Sequence, residues 1–168
     1  MGPLDFAPTA LWVRFEKNIH ELFKLNAAIF DPAGERVTKS LNWANPLCPA
    51  VKSTKKGQVL ICGAAHQRVA TEAVKNRAPV ISACDAGMLK IVTPIYSGPS
   101  LVGVASGCGS LSERGEIDCE LVSMLTELPQ EEIIRLSRQV PLMSSEAVGA
   151  AVAFMMGQTA AMVHGSSV

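Results

Sequence analysis

The chain has 168 residues, of which 48% are hydrophobic and 18% are charged, so we expect a folded chain with a substantial core rather than a disordered one. Fifteen basic residues balance fifteen acidic ones, and the Lys and Arg residues do not form a large cluster. This balance argues against direct binding of nucleic acid or of an anionic membrane surface.

The sequence shows no targeting signal. Its first residues, MGPLDFAPTALWVRF, lack the basic and apolar segments of a secretory signal peptide. The apolar stretch AVGAAVAFMMGQTAAMV near the other end is interrupted by Gln158 and rich in small residues, so we expect no membrane span in this chain. These features predict a cytoplasmic protein.

The first elements expected are a helix, a strand and a returning strand. Apolar residues at helical spacing in residues 8–24 indicate an amphipathic helix. The run LNAAIFD, residues 25–31, indicates a strand, and the following DPAGER has the proline and glycine of a turn. We therefore expect RVTKS, residues 36–40, to form a returning strand.

The middle of the chain predicts a second helix and three further strands. Prolines among apolar residues indicate a loop and a short helix in residues 43–60, and we expect the helix CGAAHQRVATEAVKNR to begin at Cys62. The three apolar runs that follow, PVISACDAG, LKIVTPIYS and LVGVASGCG, indicate strands. The turn GPS between the last two predicts an antiparallel hairpin.

The last third predicts three helices, EIDCELVSMLTEL, PQEEIIRLSRQV and SSEAVGAAVAFMMGQTAAMV. The serines that open the last of them, Ser144 and Ser145, provide an N-cap signal. Its Met, Phe and small residues predict close packing, either across a homodimer or against the sheet.

This order of elements is typical of a PAS- or GAF-like α+β fold, in which helices cover one face of an antiparallel sheet and enclose a pocket. We expect an N-terminal helix in residues 1–24, a PAS-like core in residues 25–112 and a C-terminal helical segment in residues 113–168.

Five cysteines are spread along the chain without a C-x-x-C pair, which excludes zinc-ribbon, thioredoxin and ferredoxin patterns. A disulfide framework is not expected in a cytoplasmic protein. Cys119 falls inside a predicted helix, where its spacing indicates a core position. The other four stand near the ends of elements, and the fold would have to bring them together: Cys48, Cys62, Cys84 and Cys108.

Three segments carry a resemblance to a known family: NPLCPAV, CGAAHQRV and above all CDAGMLKIVTPIYSGPSLVGVASGCG. With them the chain, from about Phe15 to Val163, resembles the PocR-type sensory domain, a PAS-like ligand-binding module of prokaryotic regulators. The resemblance implies a non-catalytic sensor of a small molecule or gas, with an output domain elsewhere in a longer protein. Asp85 stands where the family usually has histidine, and Cys108 where it commonly has glutamine.

Both departures fall where the resemblance places the pocket, and they leave four thiols near it. Sulfur ligands select zinc or iron–sulfur clusters, so we expect the four cysteines to bind a cluster or another metal for redox or gas sensing. Cys62 at a helix start would have a favoured thiolate. His66, one turn further on, is a candidate ligand or hydrogen-bond partner, and Asp85, Gly87 and Met88 complete the candidate pocket.

Two other functions stay open on the sequence. In one, the cysteines are small core residues around a metal-free pocket for a diol-like or hydrocarbon-like organic effector. In the other, the chain is a thiol-based redox enzyme in which Cys62 is the nucleophile and His66 the base.

Overall fold

A four-stranded antiparallel sheet forms the centre of the computed structural model, which describes residues 1–165. The last three residues of the expected C-terminal segment, 166–168, lie outside the described residues. The strand order is β1-β4-β3-β2. The strands are β1 Asn26–Phe30, β2 Val80–Ala83, β3 Leu89–Ser97 and β4 Ser100–Cys108. The predicted hairpin is confirmed, because β3 and β4 pair antiparallel across the turn at Gly98.

Helices flank the sheet, and the predicted α+β class is confirmed. The described residues form the helices α1 Thr9–Phe23, α2 Leu47–Lys52, a π-helix Gly57–Gly63, α3 Ala64–Asn76, α4 Cys119–Thr126, α5 Gln130–Ser137 and α6 Ser145–His164. The predicted cap of the last helix is confirmed, since the Ser144 hydroxyl accepts a hydrogen bond of 3.1 Å from the Ala147 amide. Two short parallel strands, β5 Leu111–Ser112 and β6 Leu142–Met143, lie outside the main sheet.

The two faces of the sheet pack against different helices. Successive side chains of a strand point to opposite faces, so Ile91 and Ile95 of β3 pack with α1 and α6, while Val92 packs with α3. A further apolar cluster joins α2 to α4 and α5. The face that carries α3 also bounds the cavity described below.

The expected returning strand in residues 36–40 is wrong, because this segment makes only a single β-bridge, at Arg36. Its polar side chains turn instead to Glu16 of α1, a carboxylate with 0% exposure. The hydroxyls of Thr38 and Ser40 donate hydrogen bonds to that carboxylate. A buried carboxylate needs such donors, and supplying them leaves the segment irregular.

The expected helix start at Cys62 is also wrong, since residues 55–76 are continuously helical and Cys62 lies in the π-helix. The helix begins earlier because the Thr54 hydroxyl accepts a hydrogen bond of 3.0 Å from the Gly57 amide. A Cβ on Gly57 would lie 2.1 Å from the Val51 carbonyl oxygen, so glycine lets this segment pack against α2. Inside a helix, Cys62 has no helix N-terminus to favour its thiolate.

Among the described helices, α6 has the length and apolar composition that a membrane crossing needs. Helices that pack in a protein core meet the same criterion. Val148, Ala151 and Met155 of α6 pack with the sheet, whereas Gly149 and Ala153 are exposed. The expected absence of a membrane span therefore stays a prediction.

Gly87→Ala should destabilise the protein much more than Gly34→Ala. Both glycines have positive φ, +99° and +83°, but only at Gly87 would a Cβ collide, lying 1.8 Å from the Glu116 carbonyl oxygen. We expect a loss of about 3 kcal/mol or more for Gly87→Ala, from strain and overpacking together, and of roughly 1–2 kcal/mol for Gly34→Ala. Urea denaturation measures both, and equal losses would contradict the packing described.

Candidate functional site

A cavity of about 420 Å³ lies between the sheet and the chain segment that runs from α2 to α3. This volume is within the usual range of small-molecule sites. The wall combines sulfur atoms, aromatic rings and cationic side chains. Those that bear most directly on its chemistry are Cys48, Cys62, Cys84, Cys108, His66 and Lys90.

Four separate parts of the chain supply the four thiols of the cavity wall. Cys48 belongs to α2 and Cys62 to the π-helix, while Cys84 follows β2 and Cys108 ends β4. Cys119 does not line the cavity and packs with the α4–α5 cluster. All five cysteines are free thiols. The fold thus gathers onto one cavity the four cysteines that the sequence grouped.

Asn45 holds Cys48 in place, and the sequence reasoning did not single it out. Its side-chain carbonyl accepts a hydrogen bond of 2.8 Å from the Cys48 amide, and its NH₂ group lies 3.3 Å from the Cys48 sulfur. The same NH₂ group donates to the Gly109 carbonyl at 2.6 Å. An asparagine two residues before a short helical segment, within reach of the amide three residues further on, is a cap signal that could have indicated this residue.

Burial makes Cys48 and Cys62 poor acids. It raises the pKa of Cys48, and the electrostatic interaction with the neighbouring Cys108 raises it further. Burial raises the pKa of Cys62 to about 11, although the Lys52 ammonium opposes this shift. Both thiols are therefore protonated near neutral pH, and a metal that binds them must displace their protons.

Cys84 differs from the other thiols in its backbone surroundings. Burial raises its pKa, but the nearby backbone amides of Met88 and Ala86 lower it in part. Such N–H donors stabilise negative charge on sulfur and tune metal centres bound through it. The turn after β2 is therefore suited to hold a thiolate.

His66 presents a ring to the cavity. The ring stacks on Phe30 with 3.9 Å between centroids. Burial, aided by the charges of Lys90 and Lys52, lowers the pKa of His66 to about 3, so the imidazole is neutral at neutral pH. Its Nδ1 is buried and has no hydrogen-bond partner within residues 1–165. An occupant of the cavity could satisfy this atom.

The pair of Cys62 and His66 does not have the electrostatics of an activated nucleophile. An activated cysteine has a lowered thiol pKa, commonly beside a protonated histidine. Here the pKa of Cys62 is raised and that of His66 is lowered. This setting gives no support to a thiol-based enzyme at this position.

Of the other candidate pocket residues, Met88 lines the cavity, whereas Asp85 and Gly87 do not. The Asp85 carboxylate pairs on the surface with Arg68, at 3.4 Å between Oδ1 and Nη1. Gly87 instead allows the close approach of the Glu116 backbone. The turn that brings Cys84 and Met88 to the cavity thus carries Asp85 and Gly87, two of the three residues between them, away from it.

Lys90 is a second residue that the sequence reasoning missed. Its side chain lines the cavity and is only 7% exposed. A lone lysine in the apolar run LKIVTPIYS was the signal that could have indicated it.

No three His, Cys, Asp or Glu side chains in the described part of the chain form a group able to hold one metal ion. The four thiols share a cavity wall without forming a closed single-ion cage.

An α+β fold with a cavity between its central antiparallel sheet and the helices beside it defines a domain built around a pocket. The chain matches the family model described as "Sensory domain found in PocR" over residues 5–167. It therefore belongs to the PocR sensory-domain family, as its motifs predicted, and this membership indicates a non-catalytic sensing role. No curated protein and no solved structure matched the chain.

Acid should destabilise the metal-free fold through His66. Its pKa is about 3 in the folded state against 6.5 ordinarily, so the unfolded state takes up the proton first as pH falls. The stability that this residue contributes is complete above about pH 6.5 and is lost as pH falls towards 3. His66→Phe, which keeps a ring beside Phe30, should weaken this decline.

Urea denaturation between pH 7 and pH 4 measures the effect. His164→Phe, at an exposed position, is the matched control and should keep the wild-type slope. Parallel curves for wild type and His66→Phe would contradict the prediction.

Proposed function

We propose that the cavity holds an iron–sulfur cluster on Cys48, Cys62, Cys84 and Cys108, and that the domain senses redox state or a diatomic gas through it. Membership in a family of sensory domains supports the sensing role. The observation that carries the cluster is the position of these four thiols, which come from four separate parts of the chain and line one cavity, while Cys119 does not.

A cluster suits this cavity better than a single ion. In a zinc site each sulfur lies about 2.3 Å from the same ion, so all the ligands crowd together. A cluster joins its thiolates to different iron atoms and therefore bridges thiols that stand further apart. The lack of a single-ion group within residues 1–165 favours this second arrangement. The alternatives are that the cavity holds zinc or that it holds no metal.

The groups around the sulfurs are those that tune a cluster. Hydrogen bonds to the sulfurs, solvent access and nearby charge set its stability and its potential. Asn45 supplies a donor to Cys48, and the nearby backbone amides of Ala86 and Met88 lower the pKa of Cys84. The unpartnered Nδ1 of His66 is a further polar group at the wall.

We also propose that the sheet passes the state of the cluster to α6. Loss or oxidation of the cluster would release thiols that belong to α2, the π-helix, the turn after β2 and the end of β4. On the opposite face of β4, Gly107 lies against α6, since a Cβ there would be 3.9 Å from the Met155 sulfur. The helix would then report to an output domain in a longer protein, or to a second copy in a homodimer through its exposed small residues.

A metal-free pocket for a small organic molecule is the second candidate function. The rings of Trp43 and Phe30 and the apolar Ile61 line the same cavity and support it. The two candidate functions predict different effects of substituting Cys108. If the cysteines only line the pocket, Cys108→Ala leaves binding of the small organic molecule largely intact.

Each single Cys→Ser substitution in the cavity should reduce iron retention after anaerobic reconstitution with ferrous iron and sulfide. We expect at least about a tenfold loss for Cys48→Ser, Cys62→Ser, Cys84→Ser and Cys108→Ser, since even outer partners of metal ligands are worth that much. Iron and acid-labile sulfide per protein are measured after desalting.

Cys119→Ser is the matched control, because this thiol lies outside the cavity, and it should retain iron like the wild type. Equal retention by all five variants would contradict the proposed ligand set.

A further inference from the structure

Lys90 places a positive charge in the wall of the sulfur-lined cavity. Its side chain is 7% exposed, and its Nζ donates a hydrogen bond of 2.9 Å to the Ser106 hydroxyl. Within residues 1–165, Lys90 forms no ion pair with a carboxylate. A buried ammonium with one neutral partner is costly unless an anion compensates it.

The sheet register places this charge beside the thiols. Lys90 of β3 lies directly opposite Cys108 of β4, and directly opposed residues of an antiparallel pair point to the same face. The other ammonium of the wall, Lys52, instead lies 5.6 Å from the centre of the Trp43 ring.

We propose that Lys90 is the specificity-determining residue of the cavity, selecting an occupant of net negative charge and raising the reduction potential of the cluster. This inference rests on the proposed function, because a cluster with four thiolate ligands is such an occupant. Reduction adds one electron to the cluster, and a fixed positive charge nearby stabilises the reduced form more than the oxidised form.

Neutral replacements of Lys90 test the charge separately from the shape. Lys90→Met keeps a similar length without the ammonium, and Lys90→Gln is a second neutral variant should the first fold poorly. The matched control is Ser106→Ala, which removes the hydrogen bond but keeps the charge. Urea denaturation of the metal-free proteins establishes that each variant folds.

All proteins are reconstituted anaerobically with ferrous iron and sulfide. Two quantities are then measured, the rate of iron loss to a chelator and the midpoint potential in a spectroelectrochemical titration. We expect Lys90→Met and Lys90→Gln to lose iron at least about tenfold faster than wild type and to shift the midpoint potential to more negative values. Ser106→Ala should keep the wild-type potential.

The outcomes separate this inference from the proposed function. A wild-type protein that takes up no iron and sulfide overturns the cluster and, with it, the role of Lys90. A cluster that loads normally but has the same potential in the neutral variants overturns the role of Lys90 alone. Faster iron loss without a change in potential would also overturn it, because that result assigns Lys90 a merely structural role.

Discussion

The alternation of side chains along β3 and β4 is the constraint that joins the cavity to the rest of the fold. It places Lys90 and Cys108 on the cavity side, while their neighbours Ile91 and Gly107 face α1 and α6. Both strands lie in the middle of the sheet, so the cavity and the terminal helices pack against the two sides of the same backbone. A structural change in the cavity would therefore act on the same two strands that contact α6.

A second constraint is the close approach of backbone segments around the cavity. A Cβ at Gly57 would meet the backbone of α2, and a Cβ at Gly109 would lie 2.9 Å from the Cβ of Ala44. These contacts bring the π-helix to α2 and the end of β4 to the loop before Cys48. Glu16 acts at a longer range, since its buried carboxylate fixes the irregular segment after β1. Together they place thiols from distant parts of the chain in one wall.

Local sequence patterns predicted the elements that depend on local interactions. The β3–β4 hairpin and the Ser144 cap are of this kind, because turn residues and a cap lie next to the structure they determine. The returning strand was predicted wrongly because Thr38 bonds to Glu16, 22 residues away along the chain, and no periodicity reveals such a partner. The start at Cys62 was predicted wrongly because Thr54 caps the helix earlier.

In the candidate site, too, some features could be predicted from local sequence and others depend on the three-dimensional structure. Grouping the cysteines needed only their residue type and their positions near element ends, and four of them line the cavity. The direction of each side chain in the turn after β2 was not available from the sequence, which is why Asp85 was assigned to the pocket although it pairs with Arg68 on the surface. Lys90 was visible in the sequence as a lysine within an apolar run, but its position opposite Cys108 depends on the sheet register.

Whether the four thiols act as one metal-binding site is tested most directly on wild-type protein purified without oxygen. The measurement is a UV–visible spectrum together with iron, zinc and acid-labile sulfide analysis of the same sample. The expected result is a broad visible absorbance that bleaches on reduction, with iron and sulfide present in equal amounts. A colourless protein without iron and sulfide, even after anaerobic reconstitution, would contradict the cluster.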